Sequence, residues 1–426
     1  MSRRSGLRVA AGGLLALVVL LALCALVLWL NLRGESAAPP EAAGEPATPA
    51  QVARGAYLAL AGNCAGCHTA RGGAPYAGGR GIETPFGTVY AGNLTPDVQT
   101  GLGGWTRADF WRALHHGRSR DGRLLVPAFP YPNYTQVTRD DADALFAWLQ
   151  SLPPVQRPRS PHGLRFPYDT QAALAVWRAL FFRAGEFVPD PTKDAVWNRG
   201  AYLVAGLGHC AACHAPRNAF GATTDSPALG GGLIPMQKWY APSLASPREA
   251  GVADWPQAEV VQLLKTGSTE RGRVLGPMAE VVLRSTQHLA DDDLQALATY
   301  LRSLPPRVLP AQRGDAADAA TLAAGRQLYE KHCEECHGKA GKGAAGAYAA
   351  LAGNRVVTMD SPANLVRIIV GGGFAPATAG HPRPYGMPPF GHVLSDAEIA
   401  ALASWLRRAW GHEAPAVGPL LVQALR

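Results

Sequence analysis

The sequence predicts a mainly α-helical chain in which three tandem helical units stand behind one N-terminal transmembrane helix. Three observations carry this. Residues 9–32 form an uncharged run rich in Leu, Val and Ala. One pattern of helix, cysteine pair and helix is written three times. The 48 Gly and 35 Pro among 426 residues speak for long irregular loops rather than sheet.

At a rise of ~1.5 Å per residue, the apolar run is long enough for a hydrocarbon core of about 30 Å. Arg3, Arg4 and Arg8 precede it, so the positive-inside bias keeps the N-terminus in the cytoplasm. That predicts an inner (cytoplasmic) membrane protein with a single N-terminal span and its bulk in the periplasm. A cleaved signal peptide is the rival reading, and Ala37 and Ala38 leave room for cleavage. Such a peptide has a shorter apolar region, roughly 7–15 residues, so the length favours a retained anchor. Cys24 lies inside the run and follows Leu23 rather than a small residue, so it reads as an apolar helix residue and not a lipidation site. The Pro/Ala/Glu-rich stretch after Arg33 reads as a tether. The net charge of +8 comes from scattered Arg with no basic, aromatic-interleaved block, which argues against a nucleic-acid partner.

The three copies open with RGAYLALAGNCAGCH (54–68), RGAYLVAGLGHCAACH (199–214) and AGRQLYEKHCEECH (324–337). They close with DADALFAWLQSLPP, DDLQALATYLRSLPP and DAEIAALASWLRRAW, each with one apolar stripe and acidic residues at its start. A further short helix is predicted in each copy, near 108–115, 258–265 and 363–369. The implied divisions are 1–33 (cytoplasmic tip and anchor), 34–50 (tether), 51–155 (first unit) and 156–190 (connection, with a helix near 172–182). There follow 191–306 (second unit), 307–319 (linker), 320–412 (third unit) and 413–426, a tail expected to fray.

C-x-x-C-H is the attachment signature of c-type haem: two cysteines add to the haem vinyl groups and the histidine lies beneath the iron. The three sites are Cys64/Cys67/His68, Cys210/Cys213/His214 and Cys333/Cys336/His337. Zinc would need a second Cys/His pair in each unit, and no spare cysteine exists in any copy. A thioredoxin-like redox pair leaves the trailing histidine unexplained. The reading is therefore three haem c groups, with their iron, in three tandem class I cytochrome c-like helical domains.

A thioether as sixth ligand closes the iron and raises its potential. Met278 (in GPMAEVV) and Met387 (in GMPPFGH) each stand ahead of a closing helix and are the candidates in units two and three; Met236 and Met359 are weaker ones. No methionine lies between Met1 and Met236, and the first unit has Phe129 in VPAFPYPNY at the corresponding place. Its sixth ligand stays open, with His115, His116 and His162 as weak candidates. Trp105 and Trp255 read as core packing beside the porphyrin, His209 and His332 as pointing away from the iron, and Arg80 and Arg217 as candidate partners of haem propionates.

The chain resembles the tri-haem cytochrome c subunits of membrane-bound periplasmic dehydrogenases, over about residues 51–412. These include quinoprotein alcohol dehydrogenase, flavin-dependent gluconate, sorbitol and fructose dehydrogenases, and molybdenum hydroxylases. The resemblance rests on the three CxxCH sites in order and on NLTPDVQTGLGGW (93–105), LVPAFPY (125–131), CHAPRN (213–218), GPMAEVV (276–282) and MPPFGHVLSDAEI (387–399). It implies an electron relay without catalytic residues of its own. Electrons would pass from a flavin, quinone-cofactor or molybdenum dehydrogenase subunit to membrane quinone or a terminal cytochrome. Many members have Met where Phe129 stands. Two other readings compete: a multi-haem, peroxidase-like enzyme with an open first haem, and a fixed subunit of a respiratory oxidase.

Overall fold

The computed structural model describes residues 3–33, 35, 46–224, 228–308 and 314–426. Most of the expected tether, the cleavage candidates Ala37 and Ala38, and the middle of the 307–319 linker lie outside these residues.

A single helix spans Arg3–Leu32, and its Ala11–Leu32 portion is long and apolar enough to cross a membrane, its most apolar stretch not buried against the protein. Its C-terminal end is docked. Asn31 donates from Nδ2 to the Ala175 carbonyl at 2.9 Å and accepts from Arg178 Nε at 2.9 Å. Arg118 pairs with Glu35 at 3.0 Å. Ala175 and Arg178 belong to the helix Gln171–Phe181, the one expected within the connection. Arg178 is buried; it donates to the His116 carbonyl and lies over the rings of Tyr131 and Phe182.

Beyond this helix, one arrangement recurs. Pro49–Ala61 packs on Arg139–Gln150, Ala195–Ala205 on Asp291–Arg302, and Ala319–His332 on Asp396–Leu406. The starts of most of these helices are satisfied by side chains. Thr48 and Ser395 form capping boxes with Gln51 and Glu398, and Thr138, Asp194 and Asp318 cap their own helices. The additional helices are Arg107–His116, Gln257–Thr266 and Ala363–Gly371. Strand is sparse: an antiparallel three-stranded sheet (Gly81–Thr84, Gly87–Tyr90, Gly163–Leu164) and two two-residue pairings. The 413–426 segment does not fray. Pro419–Leu425 is a helix whose Val422 and Leu425 are buried in the third unit, and Arg426 pairs with Asp396 at 2.7 Å.

The first two helical pairs share one apolar core, and the third pair has its own. Between units one and two the polar contacts are reciprocal. Arg54 donates to Asp141 at 2.6 Å within unit one, and Tyr202 of unit two donates to the same carboxylate at 2.6 Å. Arg199 grips Asp293 with two bonds of 2.7 Å within unit two, and Tyr57 of unit one donates to that carboxylate at 2.6 Å. Unit three is joined to unit two by polar contacts. Asn364 exchanges two hydrogen bonds with the backbone of Tyr240, and Arg355 donates to the Gly251 carbonyl and to Asp254.

Candidate haem sites

Each cysteine pair lies on a single helical turn that follows an opening helix. The turns are Cys64–His68, Ala211–His214 (with Cys210 as its N-cap) and Glu334–His337 (with Cys333 as its N-cap). In the second and third, the histidine N–H bonds to the first cysteine's carbonyl four residues back, at 2.8 and 2.9 Å. The turn therefore sets both thiols and the imidazole in a fixed relation.

The three histidines are held in the same way. His68 Nδ1 lies 2.7 Å from the Gly92 carbonyl, His214 Nδ1 2.7 Å from the Pro242 carbonyl, and His337 Nδ1 2.9 Å from the Ala349 carbonyl. A carbonyl only accepts, so Nδ1 carries the proton and the Nε2 lone pair is left free. Burial lowers all three histidine pKa values, against a smaller opposing effect of the carbonyl bond, which keeps the rings neutral. A neutral imidazole oriented by a backbone acceptor is what metal ligation requires. These carbonyls were missed by sequence reasoning, because a backbone acceptor leaves no residue-type signal.

The thiols fit the same purpose. All six are free of disulfide partners. Burial pushes Cys64 and Cys210 up to about 12 and Cys333 up to about 11, the reverse of the depressed thiolate expected at a redox pair. Among the described residues, no cluster of three or more His, Cys, Asp or Glu side chains could hold a bare metal ion.

A cavity of about 1770 Å³ opens beside the first turn, walled by Cys64, Cys67, His68, Leu94, Trp105, Phe110, Phe129 and Leu145 among others. It continues to Ala212, Cys213 and Arg217 of the second turn, whose Cys210 and His214 lie off its wall. Its apolar walls and its size suit a large flat porphyrin rather than a small polar substrate. Two buried polar atoms around these sites have no protein partner: Asn63 Oδ1, on the cavity wall, and the indole N–H of Trp255 in the second unit. The residues present therefore fit haem.

The second cysteines differ in exposure among the three turns. Cys336 is exposed and lies off the wall of the cavity that the first two turns share, whereas Cys213 is half-buried on that wall. Cys67 is exposed too, but it still borders the cavity. The spacing of the two thiols is the same in all three turns and puts them on one helix face, so it does not set Cys336 apart. Cys333 packs on the third unit's own core, and Cys336 follows the exposed Glu335 on the solvent side. Cys336 therefore does not join Cys333 in the core, and the third turn is the most open of the three.

The other sequence candidates separate clearly. Met387 packs on the third unit's core together with Cys333, and Met278 is half-buried on the second residue of the helix Pro277–Arg284. Met236 is exposed, and Met359 is fully buried in the core. Phe129 is on the wall of the first cavity, its ring 5.3 Å from that of Tyr134. His115 and His116 are buried away from that wall, His115 stacked on Trp111 at 4.4 Å. His162 reaches the wall, with its ring nitrogens 3.2 Å from the Tyr90 N–H and 2.9 Å from Arg159. His209 also lines the cavity, edge-on to Tyr134 at 5.5 Å. Arg80 is engaged by the Gly66 carbonyl and by Glu280 at 2.8 Å, which ties the first attachment turn to unit two. Arg217 donates to the Gly221 and Ala212 carbonyls.

Comparison with known proteins agrees with this geometry. Residues 52–153 match the cytochrome c family, and residues 320–406 match the family of cytochrome c oxidase, cbb3-type, subunit III. The chain is 39% identical over 384 residues to the alcohol dehydrogenase (quinone) cytochrome c subunit of Gluconacetobacter polyoxogenes, covering 86% of this chain and 82% of that one. It is 35% identical to the gluconate 2-dehydrogenase cytochrome c subunit of Pantoea cypripedii, covering 88% and 89%. It is 34% identical to the fructose dehydrogenase cytochrome subunit of Gluconobacter japonicus, covering 93% and 86%. With such identity along nearly whole chains, the protein belongs to the cytochrome c subunits of membrane-bound dehydrogenases, whose haem c iron transfers electrons for a catalytic partner.

Proposed function

We propose that the chain is a tri-haem electron relay, built of three tandem class I cytochrome c-like domains at 51–155, 191–306 and 320–412. It would take electrons from a periplasmic dehydrogenase subunit of flavin, quinone-cofactor or molybdenum type and deliver them to membrane quinone or a terminal cytochrome. The observation that carries this reading is the threefold repetition of one bond, Nδ1 of the CxxCH histidine to a backbone carbonyl. Cys64/Cys67, Cys210/Cys213 and Cys333/Cys336 would hold the groups through thioether links, and His68, His214 and His337 would ligate the iron. Attachment needs only that both thiols reach the porphyrin edge, so the exposure of Cys336 is compatible with it. Met278 and Met387 would supply the thioether ligands in units two and three. Haem c supplies reversible one-electron iron chemistry at potentials set by its axial ligands and burial. The chain's own part is to hold three such groups rigidly. The cavity at the first site reaches Cys213 of the second, which favours direct transfer between the two. The docked apolar helix favours a retained anchor, and Arg3, Arg4 and Arg8 favour the periplasm for everything after it.

Peptide mass analysis of the purified chain tests the count. Each of the three CxxCH peptides should carry one haem; an unmodified peptide at any of them would reduce the number and sink the tri-haem reading. Purification in mild detergent, followed by assay for flavin, quinone cofactor or molybdopterin, identifies the electron donor.

A further inference from the structure

We infer that the first unit offers no ligand to the far side of its haem, so that this site binds a small uncharged diatomic molecule such as carbon monoxide or nitric oxide. The inference rests on the reading that Cys64, Cys67 and His68 hold a haem, and extends it to the residues facing that group.

Haem iron draws its protein ligands from a short list of side chains: imidazole, thioether, thiolate and, less often, amine or phenolate. The chain has neither Met nor Lys between Met1 and Lys193, and both cysteines of the first unit are taken by attachment. Four histidines remain in that stretch, and His68 is the proximal one. His115 and His116 lie off the cavity; His115 is clasped between Trp111 and Thr135, and His116 is set edge-on against His115. His162 touches the wall, but its two nitrogens face the Tyr90 N–H and the Arg159 guanidinium. His209, from unit two, bonds the Gly62 carbonyl and rests on Tyr134. Three tyrosines line the cavity: Tyr134 donates to the Gly62 carbonyl at 3.3 Å, the Tyr168 ring is set against Phe86 at 4.5 Å, and Tyr90 stands two residues before Gly92, whose carbonyl holds the proximal His68.

Where units two and three place Met278 and Met387, ahead of the closing helix, the first cavity is walled by Leu125, Val126, Pro127, Ala128, Phe129 and Pro130. That wall is apolar throughout. It gives the iron no ligand.

The test uses the full haem-loaded chain in detergent. The reduced protein should bind carbon monoxide at one haem in three, and the oxidised protein should show one high-spin and two low-spin irons by electron paramagnetic resonance. Phe129→Met should abolish carbon monoxide binding and convert the high-spin signal, with haem content unchanged. Phe129→Leu, which keeps the wall apolar, should still bind one equivalent. Three haems per chain with no carbon monoxide uptake would overturn the inference and leave the tri-haem reading intact. Haem absent from the Cys64/Cys67 peptide would overturn both.

Discussion

The Tyr57 hydroxyl of the first unit donates to the Asp293 carboxylate of the second at 2.6 Å, on a side chain that Arg199 already holds by two bonds. The mirrored bond runs from Tyr202 to Asp141, so each RGAY segment grips its own closing helix with Arg and the neighbouring unit's with Tyr. Hydrogen bonds to charged groups contribute about 1.5–3 kcal/mol. Tyr57→Phe should therefore destabilise the joint by about that amount, and Tyr202→Phe should do the same, measured by thermal melting of the haem-loaded protein. A Tyr57→Phe protein that melts with the wild type would show the bond to be incidental.

The same carboxylate sets a pH dependence. Burial pushes the Asp293 pKa up, but the bonds from Arg199 and Tyr57 outweigh it and hold it below the ordinary value. Glu280 is also held low, chiefly by its bond to Arg80, though it is more exposed and so contributes less. A carboxylate depressed in the folded state adds stability above its unfolded pKa, roughly 4, and that stability is lost as the pH falls through the folded value. The melting temperature should hold from pH 7 to about 5 and drop below about 4. In Asp293→Asn the starting value should be lower and the acid-induced drop smaller. Equal acid losses in both proteins would mean that other groups govern the transition.

Gly55, Gly200 and Gly325 occupy one position in the three opening helices. A Cβ at each would run into the carbonyl of Ala144, Ala296 or Ala401 and the Cβ of Trp148, Tyr300 or Trp405. The helix pairs cross at these points too closely for any side chain. Overpacking costs about 1–3 kcal/mol, so Gly200→Ala should lower stability within that range although Ala is the better helix former. Gly12→Ala, in the helix Arg3–Leu32 with nothing within 4 Å, is the control and should be tolerated. Chemical denaturation followed by circular dichroism distinguishes them.

The helices and the cysteine turns were legible because their signals are local. The stretch 108–115 carries its own periodicity and Thr106 cap, and the structure extends it only to Arg107–His116. The Tyr57–Asp293 bond joins residues 236 positions apart, and the repeated RGAY gave no hint that its Tyr serves the other copy. The C-terminal helix was misread because seven residues lack a decisive period, whereas Val422 and Leu425 gain their order from the third core. The exposure of Cys336 was equally hidden, since CEECH and CAACH differ only in the two residues between the cysteines. His162 was a reasonable candidate by residue type, and only its neighbours Tyr90 and Arg159 show how it is engaged.

Met387 and Met359 offer the sharpest check on the third site. Both lie in the third unit, but Met359 is fully buried in the core while Met387, like Cys333, is partly buried against it. Leucine nearly conserves methionine's volume, so each Met→Leu change should cost less than about 1.5 kcal/mol. Their redox effects should diverge. A thioether on iron raises the potential, so Met387→Leu should shift one of the potentials in a spectroelectrochemical titration and open a second carbon monoxide site. Met359→Leu should leave the titration unchanged. If Met359→Leu shifts the potential and Met387→Leu does not, the ligand assignment in this unit is reversed.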